Sequence, residues 1–472
     1  MNASPPAERA KMRQGAVQVL DRLQAAGFTA YLAGGCVRDE IMGRAPIDYD
    51  IATDARPERV EALFAGSKTV GKSFGVVRVP SAGHFYEVAT FRSDHGYSDG
   101  RRPDRVVFTD PRTDASRRDF TVNALFYDVR AQRVIDFVGG RADIGERLVR
   151  CVGDPHERLR EDYLRMLRAV RFAAVLDFEI ERETAAAIRH HAPLAASIAP
   201  ERVREELTRI LVESPRAGDA IRLMEETGLL RVLLPEVDAM KGQEQPPRFH
   251  PEGDVFEHAV LMLNLMREPS PRLAFAALLH DVGKPGTARL DGDRIRFNRH
   301  AAQGSELASS ILKRLRFSNA DTDAIVHMIR NHMRFMDVRK MRRATLRRFV
   351  GQPTFDLELE LHRLDCLASH GQLDNYDFLQ AYKRELASEP VLPFAWVSGR
   401  DIIALGLAEG PAIGRWKRMA YDAQIENRFK TRGELLQWLK TRIESVESGG
   451  NANDDPRRGD PARIRKPSSR PN

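Results

Sequence analysis

Leu32-Ala33-Gly34-Gly35-Cys36-Val37-Arg38-Asp39 and, a short way downstream, Ile47-Asp48-Tyr49-Asp50-Ile51 decide how the first part of this chain is read. The glycine pair Gly34-Gly35 stands between a predicted strand, Thr29–Ala33, and a predicted short helix. Without a Cβ its backbone N–H groups can approach a phosphate closely, and the helix N-terminus adds a favourable dipole. Along a strand, side chains at i and i+2 share a face, so Asp48 and Asp50 are expected to project together while Ile47, Tyr49 and Ile51 face the other way. Two adjacent carboxylates repel unless a cation neutralises them. Hard carboxylate oxygens suit Mg²⁺, which is held by one or two carboxylates together with substrate phosphates. Glu87, on a neighbouring predicted strand, is a candidate third carboxylate.

Working outward, the apolar pattern predicts further strands at Ile47–Ala52, Val76–Val79, Tyr86–Phe91 and Val106–Phe108, with helices at Gly15–Ala26 and Pro57–Phe64. After Val152 strand signals nearly vanish. Segments of 3.6-residue period follow at Glu157–Val175, Glu181–His191, Glu201–Leu211 and Ala217–Thr227. The breaker-rich stretches at Pro235 and Gln243–Pro247 precede two more helical blocks. The fold class is α+β, with a mixed-sheet head followed by helices.

Three more stretches carry chemistry in the head and its exit. Phe91-Arg92-Ser93-Asp94 and Tyr97-Ser98-Asp99-Gly100-Arg101-Arg102-Pro103 have a strand edge and a loop composition, the latter with an arginine pair suited to a lid over phosphates. Arg117-Arg118-Asp119-Phe120-Thr121-Val122-Asn123-Ala124-Leu125 offers arginines for a triphosphate and Asn123 for a sugar or base edge. The helix predicted over Glu157–Val175 places Glu161, Asp162, Arg165 and Arg168 on one face and Leu159, Tyr163, Met166 and Val170 on the buried one. Asp162 and Arg165 then give an acceptor and a donor in a fixed frame, or pair with neighbours as intrahelical salt bridges.

A second constellation follows. His250-Pro251-Glu252 and His258 precede Leu278-Leu279-His280-Asp281-Val282-Gly283-Lys284, with Asp365 far downstream; His258, His280, Asp281 and Asp365 supply nitrogen and oxygen ligands of the kind a transition metal takes. His300 and His332 are candidates to complete a two-metal site. Buried structural histidines are the alternative.

The head motifs resemble the tRNA nucleotidyltransferase/poly(A) polymerase family in its bacterial-type class. Gly34-Gly35-x-Val37-Arg38-Asp39, Asp48-x-Asp50, Asp99–Pro103, Arg118-Asp119-Phe120-Thr121-x-Asn123-Ala124-Leu125, Glu161-Asp162-x-x-Arg165 and Glu201-Arg202-x-x-Glu205 occur in family order. The resemblance implies a polymerase-β-like head, Mg²⁺ at Asp48 and Asp50, and nucleotide binding by Gly34, Gly35, Arg38, Arg92, Arg118, Asp119, Asn123, Asp162, Arg165 and Arg168. It further implies that Asp162 and Arg165 act as an amino-acid template for CTP or ATP, and that helical domains hold the tRNA acceptor arm. The second constellation resembles the HD phosphohydrolase superfamily, which implies a transition metal (Mn, Ni, Co or Fe). Together these predict CCA addition to tRNA. They leave open poly(A) synthesis, addition restricted to CC or A, and an HD phosphohydrolase with a nucleotide-binding head. The expected domains are 1–150, the head; 151–240, neck and RNA-binding body; 245–375, the HD domain; 376–447, a helical C-terminal region; and 448–472, a basic tail.

Composition agrees. The 472 residues give room for several domains, with 42 % hydrophobic content to form their cores. No apolar stretch reaches the roughly 18 residues of a membrane span, and Met1–Gly15 has no apolar leader core, so a cytoplasmic chain is expected. The three cysteines form no disulfide framework. The net charge is +7, of which the tail contributes +3 through six basic and three acidic residues; with almost no apolar residues that tail is expected to be disordered. The run from Arg339 to Val350 holds six cations and is either a phosphate-binding basic helix or a solvated face.

Overall fold

Side-chain alternation along short strands builds the head. The computed structural model describes residues 6–70, 75–96, 105–246, 250–292, 294–386 and 390–447. The loop read at Asp99–Pro103 and the tail 448–472 lie outside the described residues. The strands are β1 (Ala30–Ala33), β2 (Asp50–Thr53), β3 (Lys68–Thr69), β4 (Val76–Ser81), β5 (His84–Thr90), β6 (Arg92–His95), β7 (Arg105–Phe108), β8 (Phe126–Asp128) and β9 (Arg133–Ile135). Seven of them form one mixed sheet in the order β3-β4-β5-β2-β1-β8-β9, with β2 and β5 parallel; β6 and β7 pair separately and antiparallel.

On one face Leu32, Ile51, Val77, Val79 and Val88 pack against Val19, Leu20 and Leu23 of helix Pro6–Ala25 and Val60 of helix Pro57–Leu63. Burying such a side chain is worth about 1.5–3 kcal/mol. The other face carries the small residues Ala33, Ala52 and Ala124 beside Phe91 and Phe126. Asp50 lies on this side, in step with Ala52, and the small side chains leave the surface concave there.

Two expectations are corrected. Ile47, expected to share a face with Tyr49 and Ile51, is 73 % exposed while those two are buried, because β2 begins only at Asp50 and no pleat governs the residues before it. The single helix read over Glu157–Val175 is two, Pro155–Glu161 and Leu164–Leu176, with Asp162 extended between them at φ −151° and ψ 107°. The Asp162 carboxylate accepts from the Leu164 N–H at 3.0 Å, competing with helix continuation as short polar side chains do. Aspartate caps and N1 prolines start both helices Pro111–Ser116 and Pro155–Glu161. The later helices are close to expectation at Arg182–His191, Pro200–Glu213 and Ala217–Glu226, while an antiparallel strand pair, 288–291 with 294–297, interrupts the helical region that was read as strand-free.

The chain divides into two compact units, Met1–Arg330 with Leu367–His370, and Asn331–Cys366 with Gly371–Asn472. Residues read as one domain, 245–375, therefore fall in both. The second unit is helical, with one apolar cluster around Phe335, Phe349 and Phe355 and another around Trp416, Leu435 and Leu439. Its basic run is not one free cationic face. Arg347 is buried and donates to the carbonyls of Pro390 and Val391, and Arg348 pairs with Asp422. All three cysteines are buried and reduced, and among the described residues no helix is long and apolar enough to cross a membrane.

Candidate functional site

The sheet's small-residue face and helix Leu164–Leu176 flank an open cavity of about 610 Å³. It gathers Gly34, Gly35, Arg38, Asp48, Asp50, Arg118, Asp119, Asn123, Asp162, Arg165 and Arg168 on one lining. Arg92 is not brought there; its Nε lies 3.0 Å from Asp94 Oδ1.

Asp50 opens β2 and Asp48 stands two residues before it, both with exposed surface, and β5 runs parallel beside β2 with Val88 opposite Ile51. One step back along both strands, Glu87 adjoins Asp50. Burial within the cleft, then the charges of Asp48 and Glu87, push the Asp50 carboxyl up to about 7 despite the opposing Arg118. Hard carboxylate oxygens such as those of Asp48 and Asp50 suit a divalent cation, although oxygens from Asp48, Asp50 and Glu87 do not all lie within 4.8 Å of one another.

The remaining groups are pinned by one another. Gly34 has φ +77°, a backbone conformation that favours glycine, and a Cβ there would lie 3.0 Å from Arg118 Nη1. Arg38 donates from Nη1 to Asn123 Oδ1 at 2.6 Å and from Nη2 to Asp39 at 2.7 Å. Asn123 Nδ2 donates to Asp119 Oδ1 at 3.3 Å. Arg118 Nη1 donates to the Asn123 carbonyl at 3.1 Å. On the opposite wall Arg202 clamps Asp162 with two bonds, of 3.0 and 2.6 Å. Arg165 Nη1 donates to the Arg158 carbonyl at 2.7 Å and pairs with Glu161. Asp162 and Arg165 are thus both oriented by neighbours and both face the cavity.

The second constellation is described within the first unit for His258, His280, Asp281 and His300; His332 and Asp365 belong to the second unit. His258 Nδ1 lies 2.6 Å from Glu252 Oε1, His280 Nδ1 2.9 Å from the Ala277 carbonyl, and His300 Nδ1 2.8 Å from the Phe297 carbonyl. All three rings thus spend Nδ1 on an oxygen acceptor and direct ligand chemistry to Nε2, as metal-binding histidines do. His280 Nε2 is 3.0 Å and His300 Nε2 3.5 Å from the buried Asp281 carboxylate. Burial would raise that carboxyl, but His280 and Lys284 hold it well below the usual range.

Three family models match along the chain: the poly A polymerase head domain over residues 30–150, the probable RNA and SrmB-binding site of polymerase A over 177–241, and the HD domain over 255–368. The CC-adding tRNA nucleotidyltransferase of Thermus thermophilus is 36 % identical over 427 residues, covering 87 % of this chain and 93 % of that protein. The chain belongs to the tRNA nucleotidyltransferase/poly(A) polymerase family. Another relative, the CCA-adding enzyme of Bacillus licheniformis, is 44 % identical over half of this chain; the match spans 59 % of that relative, and 50–53 % of two further CCA-adding enzymes. Among solved structures, the Bacillus stearothermophilus CCA-adding enzyme in complex with CTP aligns with a TM-score of 0.71 at 28 % identity, covering 92 % of this chain and 98 % of that one. The Thermotoga maritima CCA-adding enzyme complexed with tRNA shares the fold at a TM-score of 0.58, 16 % identity and 91 % and 94 % coverage.

In this family member the cavity also contains residues that sequence reasoning missed. Arg171, Arg209 and Phe172 line it, beside Arg117 of the stretch already read as offering arginines to a triphosphate. Phe172 forms an aromatic shelf with the guanidiniums of Arg38, Arg168 and Arg171 at 4.3–5.5 Å from its centroid. Arg171 is buried against Glu206 at 2.6 Å. Seven arginines against five aspartates make the lining net cationic, which suits a polyphosphate. Arg117 and Arg202 stood inside motifs already noted. Arg171 and Arg209 sit mid-helix outside the motifs, and a single arginine in a helical pattern carries no signal of its own for a site. The hard carboxylate set of the head and the imidazole set of the HD domain both fit divalent metal ions.

Proposed function

We propose that this chain adds CCA to tRNA 3′ ends from CTP and ATP, releasing pyrophosphate. One observation carries the reading: a single cationic cavity sets the Asp48–Asp50 carboxylates against an oriented Asp162–Arg165 pair. The names of the relatives, and the CTP-bound structure at 28 % identity, support it. The head 1–150 supplies the chemistry, and helical body and tail domains hold the tRNA acceptor arm.

When bound at Asp48, Asp50 and Glu87, Mg²⁺ supplies neutralising charge for the triphosphate and lowers the pKa of the RNA 3′-hydroxyl. The protein's own groups supply position. The first N–H groups of helix Gly35–Ile41 lack intrahelical partners and face the phosphates across the Gly34 turn, while Arg118 and Arg168 hold the departing pyrophosphate. Arg38 and Asn123, locked together, seat the sugar. Asp162 and Arg165 offer an acceptor and donors to the base edge. The 3′-oxygen attacks the α-phosphorus in line, its proton passes to solvent, and the bond to pyrophosphate breaks. Separately, the HD histidines with Asp281 hold a transition metal of the Mn, Ni, Co or Fe type.

A second reading, addition of CC alone, is favoured by the name of the Thermus relative that matches along most of the chain. tRNA transcripts ending before CCA, offered CTP, ATP or both, decide between them when product ends are sequenced. An ordered C-C-A that stops is the expected result. A stop after C-C selects the second reading, and long A tails without CTP overturn both.

A further inference from the structure

Three histidine rings meet outside the cavity, on helices Pro155–Glu161 and Arg182–His191. One ring nitrogen each from His156, His190 and His191 lies within 4.8 Å of the other two. His156 Nδ1 and His191 Nε2 are 3.1 Å apart, and the rings pack edge to face at centroid separations of 4.7–5.4 Å. His191 is buried, His156 half-buried and His190 exposed. A hydrogen bond between His156 and His191 accounts for those two. It does not account for His190, whose ring nitrogens have no hydrogen-bond partner among the described residues.

The cluster is rich in nitrogen donors and poor in acid. Among the described residues no carboxylate forms an ion pair with any of the three rings, and Asp154, two residues before His156, is engaged in capping the helix through the His156 and Glu157 N–H groups. Neutral imidazoles suit Zn²⁺, Co²⁺ and Ni²⁺. Metal–nitrogen bonds of about 2.0–2.1 Å in a tetrahedral site place ligand atoms roughly 3.3 Å apart. The His156–His191 pair is already near that spacing, and rotation of the exposed His190 brings in the third nitrogen.

We propose that His156, His190 and His191 bind a divalent transition-metal ion, with water as the fourth ligand, at a site separate from the Asp48–Asp50 carboxylates and from the HD residues. Its place in the fold gives it a consequence. Helix Pro155–Glu161 ends at Asp162, and its Arg158 and Glu161 hold Arg165, so an ion here fixes that helix against Arg182–His191 and steadies both base-facing residues.

The test uses the full chain, stripped with chelator and then dialysed against Zn²⁺ or Co²⁺ alone. Wild type is expected to retain one more equivalent of zinc than either His190→Ala or His156→Ala. It is also expected to show a tetrahedral Co²⁺ absorption band that persists in His280→Ala, and a binding constant at least tenfold tighter than that of His190→Ala. Because His190 is exposed, its alanine variant decides the matter should His156→Ala fold poorly. Equal zinc content in wild type and His190→Ala, or a cobalt band indifferent to His190→Ala, overturns the proposal.

Discussion

Arg168 grips the Asp119 carboxylate with two nitrogens, Nε at 2.9 Å and Nη2 at 2.6 Å, and so ties helix Leu164–Leu176 to the loop that carries Asn123. Burial alone would raise the Asp119 carboxyl; Arg168 and Arg165 overcome it and hold it at about 2. Through Asn123 the same carboxylate reaches Arg38 and the Gly34 turn. The polar floor of the cavity is therefore fixed before a ligand enters, which removes reorganisation cost from the reaction.

Cutting this link is expected to cost both stability and activity. Asp119→Ala removes the carboxylate that holds Arg168 and leaves Asn123 held by Arg38 alone, at about 1.5–3 kcal/mol for a hydrogen bond to a charged group. The three tryptophans, Trp396, Trp416 and Trp438, all lie in the second unit, so their fluorescence does not report on the head. Calorimetry does, and an unchanged head transition would show that the Asp119–Arg168 pair contributes nothing net.

Asp48→Ala and Asp50→Ala are each expected to abolish nucleotide addition, and Glu87→Ala to slow it at least tenfold. tRNA affinity, which rests on many phosphate contacts, should change less than about threefold in a gel-shift titration. Full turnover in Asp48→Ala or Asp50→Ala would remove the carboxylate assignment, and full turnover in Glu87→Ala would reduce the set to two.

The Asp50 carboxyl, raised to about 7, carries a pH signature. Its folded value lies above its unfolded one, near 3.8, so the metal-free native state holds the proton more tightly than the unfolded chain. Stability from this group is present at acid pH and lost as pH rises through about 7. In chelator, Asp50→Asn should melt higher than wild type at pH 8, with the gap narrowing as pH falls from about 7 and closing only toward the unfolded value near 3.8. Adding Mg²⁺ at pH 8 should raise the wild-type midpoint and leave the variant where it was. Identical melting of the two proteins in chelator at pH 8 would contradict the like-charge account.

The head was legible because its strands are short, alternating and bounded by turn residues, and because Asp48 and Asp50 announce a charge cluster that needs a counter-ion. The break at Asp162 was not legible. No glycine or proline marks it, and the apolar spacing from Leu159 to Val170 continues across it. Only Asp162 itself, an aspartate just ahead of a helix-forming run, hints at the cap it provides. Arg347 and Arg348 show the converse: a run of cations reads as a surface until tertiary structure spends some of them on the Pro390 and Val391 carbonyls and on Asp422. Arg92 fails similarly, because strand pairing turns it toward Asp94.

The orienting bonds of the base-facing pair give a graded prediction. Arg165→Ala removes donors from the base edge and should admit UTP or GTP at about 1–3 kcal/mol less discrimination. Arg202→Ala removes only the clamp on Asp162 and should weaken selectivity by a smaller factor. Steady-state kinetics with all four nucleotides test the order. Selectivity unchanged in Arg165→Ala, with a lower melting point alone, would make the Glu161 pairing purely structural.

The two donor sets also predict independence. Carboxylate oxygens at Asp48 and Asp50 favour a hard ion, whereas the imidazoles at His258, His280 and His300 with Asp281 favour a borderline one. A His280→Ala, Asp281→Ala double variant should therefore lose bound Mn, Fe, Ni or Co while nucleotide addition stays within a few-fold of wild type. Asp48→Ala should show the reverse. Removing Asp281 also leaves Lys284 without the carboxylate 2.6 Å from its Nζ, a buried cation whose stranding costs several kcal/mol. Circular dichroism and His280→Ala alone are therefore the controls for folding. Should the folded single variant keep its metal, His280 is not a ligand; should it lose nucleotide addition as well, the HD residues serve tRNA placement and the two chemistries are not separable.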